Sequence, residues 1–269
     1  MSPPAADPPP PLRLVHLAEV DSTNAEAMRR ALAGEEGPLW VLADRQTAGR
    51  GRSGRTWASE PGNLFASLLI STACPAAKGG QLSLVAGVAA IDAINKAGAL
   101  EKGAGLRLKW PNDILIGPAK AGGILVESSR RGAQAGMLAV VGVGLNLASA
   151  PAELAPGATY LARHGLPLSP RKALCFLAGA MDAWLETWND GQGFARIREA
   201  WLQRAGAAGE PLTVHASEGP VEGRFVGLDA EGALVIAGPD GRERRFTFGD
   251  VTLANLPRGA DAQEEDGSL

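Results

Sequence analysis

Three short segments gather side chains suited to chemistry on anions. The first runs Gln46-Thr47-Ala48-Gly49-Arg50-Gly51-Arg52-Ser53-Gly54-Arg55-Thr56-Trp57, where three arginines alternate with three glycines. A guanidinium is a planar fork of donors matched to phosphate or carboxylate. Glycine lets the backbone approach an anion closely. Such a loop can move when empty and close over a negatively charged intermediate, keeping water out. The second segment is Arg107-Leu108-Lys109-Trp110-Pro111-Asn112-Asp113. It sets an ammonium and a carboxylate between two apolar runs, with Pro111 breaking the strand; Asn and Asp beside Pro also serve as an ordinary turn. In the third, Lys120 begins the apolar run Ala121-Gly122-Gly123-Ile124-Leu125-Val126-Glu127. A lysine beside glycines is a candidate phosphate or carboxylate ligand, whereas most strand-end lysines are simply solvated.

Several other chemistries are excluded. Gly49, Gly51 and Gly54 satisfy G-x-G-x-x-G, but a strand rather than a helix follows, and Ile70-Ser71-Thr72-Ala73 lacks the acid a dinucleotide site needs. No G-x-x-x-x-G-K-[ST] occurs, so there is no P-loop. The formal net charge of −3 and the single aromatic near the arginines argue against nucleic acid. His16, His164, His215, Cys74 and Cys175 show no zinc spacing, and no metal ligands are expected. The two cysteines suggest no disulfide scaffold and fit a reducing cytoplasm. No apolar run is long enough to cross a bilayer, and no secretory leader is seen.

The elements that must position these segments are legible from pattern. Leu12 to Val20 reads as a strand. A helix starts at Asp21-Ser22-Thr23, with Thr23 and Glu26 at capping-box spacing, and stops at Gly34. A short strand covers Leu39–Ala43, and residues 44–62 read as a long loop. Strands are expected at Asn63–Ser71, 105–110, 113–117, 121–128 and Leu138–Leu147. Helices are expected at Gln81–Ala97, 170–189 and 193–205. After Gly209 come short strands at Leu212–Ala216, Val221–Leu228, Ala233–Ala237, Arg244–Phe248 and Val251–Leu253, with a hairpin turn at Pro239-Asp240-Gly241. Strands grouped apart from helices indicate an α+β domain followed by a small β-barrel. The expected division is 1–11 disordered tail, 12–208 catalytic domain, 209–256 barrel and 257–269 disordered tail.

Taken in order, these segments resemble the biotin protein ligases. The matching residues are Asp21-Ser22-Thr23-Asn24, Gln46 with Gly49 through Arg55 and Trp57, Lys109 through Asp113, Lys120 through Glu127, and Gly142-Val143-Gly144-Leu145-Asn146. The resemblance covers about residues 12 to 256. It implies an α+β fold with a mixed or antiparallel sheet, class II synthetase-like and of the biotinyl/lipoyl transferase type, plus a C-terminal SH3-like β-barrel. It also implies a reaction: biotin attacks the α-phosphate of Mg-ATP to give biotinyl-5′-AMP, and a lysine of a biotin carboxyl carrier protein then takes the biotin and releases AMP. ATP with Mg2+ is the implied cofactor and biotin the substrate.

The resemblance also implies roles. Ser22, Thr23, Asn24, Gln46, Arg50, Gly51, Arg52 and Lys120 would hold biotin. Arg52, Trp57, Asn112, Lys120 and Asn146 would hold ATP. Lys120, Asp113, Arg52 and Lys109 would be catalytic, with Asp113 orienting the incoming amine or taking its proton. Some relatives carry an N-terminal DNA-binding domain; here the pattern begins at about residue 12, so no DNA contact is expected. The resemblance also leaves room for a homodimer through sheet edges, to which the apolar strand 138–147 could contribute, although a buried central strand reads the same way. The Ala- and Pro-rich stretch 148–170 follows Asn146 and is placed to cover the nucleotide. The alternatives are a lipoate-type ligase or acyltransferase and a non-catalytic biotin sensor.

Overall fold

The computed structural model describes residues 12–130 and 136–253; the expected tails 1–11 and 257–269 lie outside them. A mixed sheet of seven strands carries the first part of the chain, in the order β1-β2-β3-β7-β6-β5-β4. The strands are β1 Leu14–Val20, β2 Leu39–Gln46, β3 Leu64–Thr72, β4 Leu106–Lys109, β5 Asp113–Ile116, β6 Ala119–Arg130 and β7 Met137–Leu145. β1 and β2 run parallel, and every other neighbouring pair is antiparallel.

Helices lie on both faces. The helix α1 (Thr23–Leu32) covers one, where Ala27, Ala31, Leu39, Val41, Leu69 and Val140 form a small core. The helices α2 (Gln81–Ala97), α3 (Pro170–Trp188) and α4 (Phe194–Leu202) cover the other, over Trp40, Leu42, Leu68, Val141 and Ile124. Because both faces are covered, β3 is an almost unbroken apolar run instead of an alternating one. The helix α2 is apolar nearly all round because α3 and α4 pack on it while it packs on the sheet.

Local signals explain the ends. Ser22, not Thr23, is the N-cap of α1; its side chain accepts from Ala25 N–H. Glu26, expected to close a capping box, instead pairs with Arg29 and Arg30. Ser169 caps α3 with Pro170 in its first turn, and Asn189 ends it in the left-handed region at φ 44°. The strand β2 runs three residues past the expected Ala43, so the loop begins only after Gln46. β7 lies at the centre of the sheet between β3 and β6. It therefore has no free edge, which decides the run 138–147 for the buried central reading and against a part in an edge-to-edge dimer.

The C-terminal part is a five-stranded antiparallel sheet ordered β11-β10-β9-β8-β12. Its strands are β8 Pro211–Ala216, β9 Gly219–Leu228, β10 Leu234–Ala237, β11 Glu243–Phe246 and β12 Asp250–Leu253. No ladder joins β11 to β12 among the described residues, so hydrogen bonding does not close the expected barrel. Its buried Leu212, Val214, Phe225, Leu234, Ile236 and Val251 are continuous with the core under α2–α4. No helix of the described residues is long and apolar enough to cross a membrane.

Adjacent residues of β3 serve different cores, which gives a test. Leu68→Ala and Leu69→Ala, both almost fully buried, should each cost about 2–5 kcal/mol in urea unfolding. Leu32→Ala, at a residue 78% exposed, should cost less than about 0.5 kcal/mol.

Candidate active site

The site lies on the α1 face of the seven-stranded sheet, and its floor is made by glycines. On β7, a Cβ at Gly142 would come within 2.2 Å of Asn24 Oδ1, and one at Gly144 within 2.6 Å of the Trp57 ring. On β6, a Cβ at Gly123 would lie 3.0 Å from Trp57. The missing side chains let Asn24 and Trp57 lie directly on the sheet. The site is the strip of sheet from the N-terminus of α1 to the start of β6, a trench in that its glycine floor carries no side chains of its own.

One end of the trench is polar. Gln46 Oε1 accepts from the Thr23 N–H at 2.8 Å and lies 3.2 Å from the Thr23 hydroxyl. Ser67, wholly buried on β3, lies 2.8 Å from Thr23 Oγ1 and 2.6 Å from Asn24 Oδ1. Asn24 Nδ2 donates to Leu125 O and to Glu127 Oε2. The same Glu127 oxygen accepts from Arg50 at 3.1 Å. Thr23 with Gln46, and Asn24 with Arg50 through Glu127, are thus brought together, and Ser22 stands beside them as the N-cap of α1. Ser67 and Glu127 join them. A serine in an apolar strand is a weak signal, but it falls on the same side of β3 as Phe65 and Leu69, opposite the main core.

The other end is ionic. The Asp113 carboxylate is buried at the start of β5 between two ammoniums, with Lys109 at 2.8 Å and Lys120 at 2.7 Å. Burial raises its pKa, but the charges and hydrogen bonds of Lys120 and Lys109 outweigh that and hold it well below the usual carboxylate value. The ion cluster therefore stabilises the fold fully above about pH 4, the ordinary carboxylate value, and the contribution is lost only as pH falls through the depressed one. The Lys120 ammonium also lies 5.5 Å from the centroid of the Trp57 ring. Among the described residues, the buried Trp57 indole N–H meets no acceptor.

The arginine loop is a small hairpin at this end. Gly51 N–H donates to Arg55 O and Trp57 N–H to Gly49 O, and Ser53 and Gly54 turn the tip with positive φ. Its side chains reach the C-terminal sheet. Arg52 donates to Gly249 O at 3.4 Å, to Asp250 at 3.5 Å and to Asn112 at 3.4 Å, and sits over the Phe248 ring. Burial pulls its pKa below the ordinary value, opposed by Asp250. Arg55 pairs with Asp250, and Lys109 donates to Val251 O at 2.9 Å. Sequence reasoning missed this contribution of residues 248–251 because it comes from a remote part of the chain.

Two expected nucleotide-side residues have structural duties. Asn112 donates to Ile124 O. Asn146 donates to Thr159 O, and its own backbone holds Ala121 and Leu161. Through these bonds and those of Lys120 to Gly157 and Thr159, the stretch after β7 returns to the trench beside Lys120. Asn63 Oδ1 accepts from the N–H groups of Leu147, Ala148 and Ser149 and fixes the start of that stretch.

Residues 17–146 match the Biotin/lipoate A/B protein ligase family, and residues 208–253 match the Biotin protein ligase C terminal domain. The chain is 43% identical to the biotin–[acetyl-CoA-carboxylase] ligase of Paracoccus denitrificans, over 84% of this chain and 95% of that protein. It is 32% identical to the bifunctional ligase/repressor BirA of Bacillus subtilis, over 81% of this chain and 66% of that one. Among solved structures, the biotin protein ligase of Aquifex aeolicus in complex with biotin and ATP superposes with a TM-score of 0.74 at 28% identity, covering 90% of this chain and 98% of that one. The Leishmania major biotin protein ligase bound to biotinyl-5-AMP gives a TM-score of 0.60 at 26% identity, covering 90% and 100%. By sequence and by fold, the chain belongs to the biotin protein ligase family.

Proposed function

We propose that this chain is an ATP-dependent ligase that forms biotinyl-5′-AMP and transfers the biotin to a specific lysine of a biotin carboxyl carrier protein. The observation that carries the reading is the buried Lys109–Asp113–Lys120 cluster at the end of a glycine-floored trench. We divide the chain into a catalytic unit, 12–208, and a C-terminal unit, 209–256, that completes the site.

In the first step a biotin carboxylate oxygen bonds to the α-phosphorus of ATP, and the bond to pyrophosphate breaks. Two anions must meet, so fixed positive charge lowers the barrier. Lys120 and Arg52 supply it, with Arg50 at the biotin side and Trp57 flanking Lys120. The unmet indole N–H of Trp57 suits a ligand acceptor. In the second step a neutral lysine amine of the carrier attacks the anhydride carbonyl. The C–N bond forms, the bond to AMP breaks, and a proton leaves to solvent. Both Asp113 oxygens face ammoniums and the group is held ionised, so it is a poor proton acceptor. We assign it the orienting part, holding Lys120 toward the reacting groups.

Mg2+ is expected with ATP. The carboxylates near the site are already engaged by cations: Asp113 by two lysines, Glu127 by Arg50 and Asp250 by Arg55. Among the described residues no three His, Cys, Asp or Glu side chains gather to hold a metal. This donor set does not fit a protein-held divalent ion, which would enter on the nucleotide phosphates. The C-terminal match favours biotin over a lipoate-type substrate. Free Cys74 and Cys175 support a reducing, cytoplasmic setting. A homodimer through sheet edges would use β1, since β4 is partly covered by the bridge from Leu108 to Ala205.

Exchange of labelled pyrophosphate into ATP should depend on biotin and not on lipoate; exchange with neither, despite biotin binding, would make the chain a sensor. Arg52→Gly should leak biotinyl-5′-AMP and label bystander proteins, as read by streptavidin blot; undiminished adenylate retention would contradict its role in closing the loop. Asp113→Asn, which leaves two ammoniums without a counter-ion, should slow adenylate formation and transfer alike by about a hundredfold. Loss confined to transfer would show that Asp113 takes the amine proton.

A further inference from the structure

The polar end of the trench has more hydrogen-bond contacts than hydroxyl hydrogens to fill them. Three contacts link Gln46 Oε1, Thr23 Oγ1, Ser67 Oγ and Asn24 Oδ1, at 3.2, 2.8 and 2.6 Å along the chain. Only the Thr23 and Ser67 hydroxyls can donate in it, one hydrogen each. One contact must go without, and the surroundings decide which.

The orientation of Asn24 is fixed from outside. Its Nδ2 faces Leu125 O at 3.2 Å and Glu127 Oε2 at 2.8 Å, and both of these only accept. Asn24 Oδ1 must therefore face Ser67, and at 2.6 Å the Ser67 hydrogen goes to it. The Ser67–Thr23 contact then takes the Thr23 hydrogen. Gln46 Oε1 is left with the Thr23 N–H and a lone pair to spare. The hydroxyl of Ser22, whose oxygen accepts from Ala25 N–H, keeps its own hydrogen to give.

We propose that Ser67 and Glu127 are positioning residues that set the direction of this chain, so that Thr23 and Gln46 meet the substrate as acceptors for urea N–H groups. This rests on the reading of the site as a biotin site, and it names the recognised chemistry: the two N–H donors of the cyclic urea. A dithiolane ring has no such donors and leaves the acceptors unmet, which is costly in a buried pocket. Arg50, on the same Glu127 oxygen, ties the arginine loop to this end of the trench. Asn24 has both donors turned inward, so its part is to carry the direction from Glu127 to Ser67.

The test is calorimetric binding of biotin, and of biotin methylated on a urea nitrogen, to the wild-type chain, Ser67→Ala and Ser67→Cys. Removing the Ser67 hydroxyl lets the Thr23 hydrogen swing to Gln46 Oε1 and occupy the acceptor. Biotin should bind Ser67→Ala about tenfold more weakly, and the preference for biotin over the methylated analogue should shrink by a similar factor. Ser67→Cys keeps the bulk but donates poorly, so it should shift both values the same way and carries the test where the alanine variant does not fold. Weaker binding with an unchanged preference would reduce Ser67 to a packing role and overturn the proposal. Unchanged affinity and preference in both variants would overturn it while leaving the ligase reading intact. No biotin binding by the wild-type chain would overturn both.

Discussion

A buried carboxylate between two ammoniums is the constraint around which this molecule is arranged. Taking Asp113 out of water is costly unless the charge is matched. Lys109 stands directly opposite it across the β4–β5 ladder, and Lys120 comes from the start of β6. Three strands in tight succession, β4, β5 and β6, are needed to deliver all three groups to one point. A slip of one residue in β5 would turn Asp113 toward the core and Ile114 toward the trench. The register of the meander is therefore fixed by charge as well as by the apolar residues beneath it. The cluster also keeps one more positive charge than negative, in a chain whose net charge is −3. That local surplus suits two anionic substrates better than any overall field would.

The second part of the chain attaches through the same groups. Lys109 divides its hydrogens between Asp113 and the Val251 carbonyl, while Arg52 and Arg55 reach Gly249 and Asp250. Three cations of the first part thus converge on three consecutive residues of the second. Trp110 and Arg107, in the same β4–β5 segment, add bonds to Gly232 O and Glu210. The segment that holds the buried carboxylate is also the one that docks the C-terminal sheet. A change in how that sheet sits would be felt at Asp113 through a single lysine.

Local signals in the sequence were readable where they are local in the fold. The strands and helices followed from apolar period, and the helix expected at 170–189 is α3, Pro170–Trp188. The arginine loop and the two lysine segments were visible as polar clusters within apolar runs. What pattern could not supply was assembly. Thr23 looked like a capping residue, but its hydroxyl turns to Gln46 and Ser67, and Ser22 takes the cap. The run 138–147 had the composition of either an edge or a centre, and only the strand order decides. Ser67 and Glu127 matter through partners more than forty residues away in sequence. The same holds for residues 248–251, whose importance lies in what they face.

The strengths of these contacts differ in a way that bears on the order of events. Asp113 is gripped at 2.7 and 2.8 Å within the protein, where little water screens the pairs. Arg52 meets its acceptors only at 3.4 to 3.5 Å, and Arg50 shares Glu127 on a half-exposed surface, where an ion pair contributes little. An arriving polyphosphate or adenylate therefore competes poorly with Asp113 for its lysines but well for Arg50 and Arg52 of the loop. The lysines form a site already in place, and the arginines are the groups able to change partners. Rigid charge on the sheet and exchangeable charge on the loop is the division of labour that a reaction with a reactive anhydride requires. On the proposed reading, the first stays in place while the bond to phosphorus forms, and the second opens for the carrier lysine to enter.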